Sequence, residues 1–319
     1  MSAVNPRRPA VYVVVGAVLA LGSLALTGPG ATGAPPPPPA AASEPATPAP
    51  QCTEVRESLR PQGQLPAPGA MPAGSTMAAI AERGRLIAGV DQGKFLSGYR
   101  DPLTGGLDGS DIDIVRRIAD AILGDPDRVQ YVVLNIADRA AALERDQVDV
   151  VVNSFTVTCA RQRTVEFSAP FMPAEQRLLV PLGSGIEEVA DLGDRTVCTS
   201  VGSTTEIVLR DLGLQVSTLP GIPDCVLEMQ RGRVAAVSSD DVILAGLAAQ
   251  DPNTRVVGRT LASTRYAVGM RPDEPDLVRF VNGVLEEARA DGSLAASNRR
   301  WYTGRLDPVP APLPPVYRD

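Results

Sequence analysis

The chain has 319 residues, of which 44% are hydrophobic and 21% charged, so it can bury the core of one large domain or two ordinary ones. Its formal net charge of −7 speaks against a non-specific nucleic-acid binder, which needs a basic surface. There is no histidine, which excludes His-based acid–base catalysis, Ser-His-Asp and Cys-His nucleophiles and His-containing zinc sites.

Residues 11–26 read VYVVVGAVLALGSLAL and follow Arg7 and Arg8. That is the pattern of a secretory signal, or of a short signal-anchor, and we assign 1–34 to it and expect export to the outer face of the membrane or the cell envelope. Residues 35–77 form a proline-rich linker that opens with five consecutive prolines. Such a segment is extended and cannot build a core, so it is read as disordered. Gly28, Gly30 and Gly33 match the spacing of a dinucleotide fingerprint. No strand precedes them and prolines follow, so that reading is rejected.

From residue 80 onward strands and helices alternate, the pattern of an α/β protein. Residues 86–90 read as a buried strand. Apolar positions 112, 114, 115, 118, 119 and 122 form a helical stripe, with Ser110 or Asp111 as the N-cap. Asp108, Asp111 and Asp113 hint at a calcium loop, but the twelfth position is Ala119, so they read as an acidic helix start. Strands are expected at 130–134 and 148–153, with a helix at 137–144 between them. Residues 178–181 read as extended. Then come strand 196–199, helix 203–212, strand 215–219, helix 223–231, strand 235–238, helix 241–249 and strand 255–257. Residues 265–270 read as extended, and 275–291 and 294–302 as helices. A second proline-rich stretch, 307–319, reads as a tail.

The four cysteines, Cys52, Cys159, Cys198 and Cys225, contain no C-x-x-C pair, so zinc and thioredoxin chemistry are not expected. Three pairings are possible in an exported chain. We expect Cys198–Cys225 within one domain and Cys52–Cys159 between the linker and the other domain. The basic residues are 29 arginines and one lysine, Lys94.

Five segments in order resemble the family-3 extracellular solute-binding proteins, the polar amino-acid binders of ABC importers. They are Gly109 to Ile114, Ala142 to Thr158, Arg161 with Val165 to Phe171, Asp191 to Val197 with Gly202 to Thr205, and Gly232 to Asp240. Further stretches, among them Tyr99 to Gly105 and Asp240 to Leu247, resemble an actinobacterial glutamate/glutamine-binding lipoprotein group within that family. The resemblance implies a two-lobed, periplasmic-binding-protein-like fold with two hinge crossovers. Lobe 1 is expected at 78–176 and 264–306, and lobe 2 at 177–263. It implies a monomer that binds a polar amino acid (glutamate, glutamine, aspartate or asparagine) by hinged closure and passes it to an ABC permease or a membrane sensor. No cofactor and no metal are implied.

By resemblance, Arg161 takes the ligand carboxylate, helped by Ser203, Thr204 and Thr205 at a helix start. Asp240 takes the ammonium, with neighbouring Asp241 second in rank, and Ser154, Thr156 and Asp91 contribute further contacts. Asn153 stands where related sequences carry a basic residue, and Ser110 where an aromatic is usual. The first reading of Lys94 is a surface lysine on a loop; the alternative is that it replaces the charge missing at Asn153. Two other function classes fit the fold. An enzyme would need a placed carboxylic acid, for which Glu166 and Glu206 are the candidates. A degenerate scaffold would bind nothing.

Overall fold

The computed structural model describes residues 54–318; the apolar run at 11–26, the 35–39 prolines and Cys52 lie outside them. The chain begins with β1 (Ser58–Leu59), α1 (Thr76–Arg83) and β2 (Leu86–Val90). Three short strands follow: β3 (Gly93–Lys94), β4 (Gly98–Arg100) and β5 (Leu107–Asp108). Next come α2 (Ser110–Leu123), β6 (Val129–Val133), α3 (Arg139–Glu144), β7 (Val150–Val151) and β8 (Glu166–Phe167). The middle of the chain runs β9 (Met172–Pro181), β10 (Val197–Ser200), α4 (Thr204–Asp211), β11 (Val216–Leu219), α5 (Ile222–Gln230), β12 (Ala236–Asp240), α6 (Asp241–Gln250) and β13 (Thr254–Tyr266). It closes with β14 (Gly269–Met270), α7 (Pro275–Ala290), α8 (Ser293–Tyr302) and β15 (Tyr317–Arg318).

Two five-stranded sheets carry the two lobes, in the orders β6-β2-β7-β14-β8 and β11-β10-β12-β9-β13. The pieces expected as extended at 178–181 and 255–257 are parts of longer strands that also serve as the crossovers. They are β9 and β13, which pair antiparallel along their length with a register shift between Val257 and Ala262. Much of β13 is only half-buried, so its apolar alternation is weak in the sequence.

The stripe on α2 is buried as its spacing requires, but the helix is capped by Gly109 rather than by Ser110 or Asp111. Gly109 has φ 131°, and a Cβ there would lie 2.2 Å from the Ser97 carbonyl oxygen. Only glycine fits. Ser110 and Asp111 are therefore inside the helix and face the protein interior.

The lobes meet through the β3 loop, which packs on α5 and α6. A Cβ on Gly246 would lie 2.1 Å from the Phe95 carbonyl oxygen. Cys198 of β10 is joined to Cys225 of α5, as expected. Cys159 is also disulfide-bonded, and Cys52, the partner expected for it, is outside the described residues.

The two proline-rich stretches differ from their sequence reading. From residue 54 the supposed linker is extended but packed, and β1 pairs in parallel with β15 at the other end of the chain. Asn282 of α7 donates to Ser58 Oγ and the Leu59 carbonyl, both at 2.7 Å. Arg279 donates to the Arg60 carbonyl at 2.6 Å. The expected tail is held by Arg289 on the Leu313 carbonyl and Asn298 on that of Pro310.

Gly246→Ala should lower stability by about 1–3 kcal/mol, as overpacking typically does. The sign is the informative part, because alanine in a helix interior is otherwise favoured over glycine by about 1 kcal/mol. Urea unfolding of both proteins measures it.

Candidate functional site

The site is built around the turn that follows β7. Ser154 has φ 46°, a left-handed conformation unusual for a residue with a Cβ. Asp111 fixes it: one carboxylate oxygen accepts from the Ser154 amide at 2.7 Å and from its hydroxyl at 3.0 Å. Arg139 closes the other side, donating to the Asn153 carbonyl at 2.9 Å and the Ser154 carbonyl at 3.3 Å. Asp111 and Arg139 are both buried. Burial pushes the Asp111 carboxyl up to about 6, against the opposing pull of Lys94 and the Ser154 bonds. Burial and the nearby Arg161 charge hold Arg139 well below its usual range.

Lys94 is not a surface lysine; it is 2% exposed. Its ammonium donates to Asn153 Oδ1 at 2.6 Å and lies 3.1 Å from Asp91. The Asn153 amide nitrogen donates in turn to the Leu134 carbonyl at 3.0 Å. Asp91 uses its other oxygen to accept from the Gly93 amide. The structure thus brings Asp91, Lys94 and Asn153 together, although 59 residues separate Lys94 from Asn153.

Arg161 opens a one-turn 3-10 helix, Arg161–Arg163. It donates to the Thr156 carbonyl at 2.7 Å and, across to the other lobe, to the Gly202 carbonyl at 3.3 Å. Its guanidinium and that of Arg139 both lie over the Phe155 ring. Burial lowers Arg161 to about 10, with Asp240 opposing the shift. Ser203 caps α4, accepting from the Glu206 amide at 3.0 Å. Thr204 Oγ1 accepts from Gln176 at 3.1 Å, and Thr205 is buried beside it.

Asp240 ends β12 and is buried. It accepts from the Tyr266 hydroxyl at 2.5 Å and the Thr264 hydroxyl at 3.2 Å. Burial raises its pKa, and those hydroxyls, Lys94 and Arg161 oppose the rise. Asp241 instead accepts from the Glu175 amide on the crossover and from the amide of Val242.

Sequence reading missed Asp111, Arg139, Phe155, Tyr266 and Gln176. Asp111 lies one turn before Val115 on the apolar stripe of α2, and a charged residue in line with a buried face is the signal that marks it. Gln176 is fully buried, and its Oε1 has no partner among the described residues. An unpaired buried acceptor of this kind calls for a donor. The two acids considered for an enzyme both take arginine partners, although Glu166 Oε1 is buried with no partner among the described residues. Glu166 pairs with Arg56 and Arg318. Glu206 accepts from the Gly202 amide and pairs with Arg210. Asp108, the first residue of the calcium-like stretch, pairs with Arg116 and Arg300.

The raised pKa of Asp111 sets a pH dependence. Between its ordinary value of 3.8 and about 6 the folded protein holds a proton that the unfolded chain has lost. The contribution of Asp111 to stability therefore falls as pH rises through that window and is constant above it. Asp111→Asn should gain on the unaltered protein by about 2 kcal/mol from pH 4 to pH 6, below the limit of 1.36 kcal/mol per unit because both ends of the window are partly titrated. Urea midpoints at half-unit intervals of pH test this; a difference independent of pH contradicts it.

Residues 86–304 match the bacterial extracellular solute-binding proteins, family 3. The chain is 29% identical over 229 residues to the ABC transporter glutamine-binding protein GlnH of Bacillus subtilis, covering 71% of this chain and 84% of that one. It is 33% identical over 198 residues to the glutamine-binding protein of Geobacillus stearothermophilus, covering 61% and 76%. Among solved structures, a mutant of the arginine-binding protein ArgBP from T. maritima superposes with a TM-score of 0.66 at 27% identity, covering 71% of this chain and 99% of that one. The chain belongs to the bacterial extracellular solute-binding proteins, family 3.

Proposed function

We propose that this protein binds a polar amino acid outside the cytoplasm, by closure of its lobes, and presents it to an ABC importer or a membrane sensor. One observation carries the reading. The half-buried guanidinium of Arg161 and the buried carboxylate of Asp240 are linked through neighbouring residues: Arg161 donates to the Thr156 carbonyl, Thr156 bridges to Tyr266, and the Tyr266 hydroxyl donates to Asp240. An α-amino acid offers the complementary pair, a carboxylate for the fork of Arg161 and an ammonium for Asp240. Each terminal nitrogen of Arg161 carries two N–H groups and uses one on a carbonyl, so a carboxylate can be held by the others. The start of α4 at Ser203, Thr204 and Thr205 adds amides and a favourable helix dipole. The leading run at 11–26 supports export and attachment, and the named relatives are binding proteins for amino acids.

The side-chain end of the ligand is assigned to Lys94, Asn153, Asp91 and Gln176. The Lys94 ammonium has three donors, of which one goes to Asn153 and one faces Asp91. The third suits a side-chain oxygen, from a carboxylate or an amide. The unpaired Oε1 of Gln176 suits an N–H, either from the ammonium or from a side-chain amide. Glutamate, glutamine, aspartate and asparagine each provide some of these partners.

A thermal-shift panel of amino acids followed by calorimetry tests the reading. A ligand at 100 times its dissociation constant should stabilise the protein by about 2.7 kcal/mol. Arg161→Ala should weaken the best ligand at least about a hundredfold, the scale of a lost charge-assisted pair. Lys94→Met should weaken glutamate more than glutamine, because a charge-assisted hydrogen bond is about twice as strong as a neutral one. If no amino acid stabilises the protein, the internal partners of Arg161, Asp240 and Lys94 are the whole purpose of the network, and the chain is a scaffold.

A further inference from the structure

The residue after Arg161 is bound to the far end of the chain. Gln162 is 7% exposed. Its Oε1 accepts from the Arg56 amide at 2.7 Å and its Nε2 donates to the Arg56 carbonyl at 2.8 Å. Its own carbonyl accepts from Arg56 Nη2 at 2.7 Å. Three short hydrogen bonds thus join two residues 106 positions apart. The segment around Arg56 is itself anchored, by Ser58 on the Phe167 carbonyl at 2.7 Å, by Asn282, and by the pairing of β1 with β15.

The 3-10 turn that carries Arg161 has little to hold it on its own. A single such turn has poor hydrogen-bond geometry and no length over which to cooperate. Its local bonds are Gln162 N to the Thr158 carbonyl at 3.0 Å, Arg161 N to Thr158 Oγ1 at 3.2 Å and Arg163 N to the Ala160 carbonyl at 3.3 Å, with Thr164 and Val165 returning to the Arg161 carbonyl. The bonds from Arg56 are shorter than these and reach the turn from outside it.

We infer that Gln162 is a positioning residue for ligand binding, latching the Arg161 turn to the segment that enters from the N-terminal side. It touches no ligand. It fixes the backbone from which the Arg161 guanidinium reaches the cleft, so the entering segment at 54–59 is part of the binding apparatus rather than a spacer. This rests on Arg161 being the carboxylate partner proposed above.

The test is a double-mutant cycle in the full-length chain, with Gln162→Met and Arg161→Lys made singly and together, and with L-glutamine and L-glutamate as probes by calorimetry. Gln162→Met keeps the side-chain bulk and removes both of its hydrogen bonds. The latch predicts that it raises the dissociation constant about tenfold alone and less than about twofold on top of Arg161→Lys, since residues acting through one another are not additive. A purely structural role gives the same factor in both backgrounds, and that result overturns the proposal. Unchanged affinity in Gln162→Met beside a loss of about tenfold or more in Arg161→Lys also overturns it, and leaves the carboxylate assignment standing. Unchanged affinity in Arg161→Lys overturns the assignment itself and the latch with it. If Gln162→Met does not fold, Arg56→Ala decides: it removes one of the three bonds, together with the long contact to Glu166 that Arg318 also serves, and it should show a smaller loss with the same dependence on Arg161.

Discussion

The cleft depends on one carboxylate accepting two hydrogen bonds from one residue. Holding Ser154 at φ 46° costs on the order of 1–3 kcal/mol, and the paired bonds to Asp111 offset that cost. Everything at the centre of the site is hung from this turn. Asn153, just before it, meets Lys94. Phe155, just after it, lies beneath two guanidiniums. Thr156 gives its carbonyl to Arg161. The price of the arrangement is a set of buried charges, two cationic (Lys94, Arg139) and two acidic (Asp111, Asp240), with Arg161 half-buried beside them. Such groups are tolerable only while each sees an opposite charge or a full set of hydrogen bonds. The charges therefore stabilise one another across the lobes as well as within them.

A second constraint comes from the proline-rich ends. Proline lacks an N–H, and an extended chain rich in it leaves carbonyls with no ladder to join. Here those carbonyls are met by side chains from α7 and α8. Arg279, Asn282, Arg289 and Asn298 reach the carbonyls of Arg60, Leu59, Leu313 and Pro310. A guanidinium suits the task because its donors are fixed in a plane and reach several acceptors at once. Arg289 uses two nitrogens in this way, on Leu313 and on Pro170. Part of the arginine-rich, lysine-poor composition is accounted for by this role.

The α/β alternation, the helix at 203–212 with its Ser203 cap, the Cys198–Cys225 pair and the stripe on α2 were legible because each rests on local periodicity or a local rule. What was not legible depends on contacts between distant segments. Proline content alone marks residues 54–75 as linker; that they are packed depends on donors from α7, more than 200 residues away. The N-cap of α2 shifts to Gly109 because the Ser97 carbonyl lies against it, which no window around 109 contains. Lys94 drew notice by being alone in the composition, yet its burial depends on Asn153 and Asp91 closing over it. Arg139 carries no compositional mark among 29 arginines and emerges only from the fold.

The two bonds made by Arg161 are unequal in a way that bears on closure. The 2.7 Å bond to Thr156 stays within one lobe, and the 3.3 Å bond to Gly202 crosses to the other. A ligand carboxylate held by the remaining N–H groups of the guanidinium reinforces the weaker of the two. It brings a full charge against a neutral carbonyl, and charge-assisted bonds are about twice as strong. The same carboxylate can accept from the amides at the start of α4, the residues that directly follow Gly202. In the proposed cycle the ligand thus adds a charged link between the lobes to a long one, while the short bond and the latch behind it hold the arginine still. Differential affinity for the closed form, which any ligand-driven closure requires, then arises at Gly202 and not at Thr156.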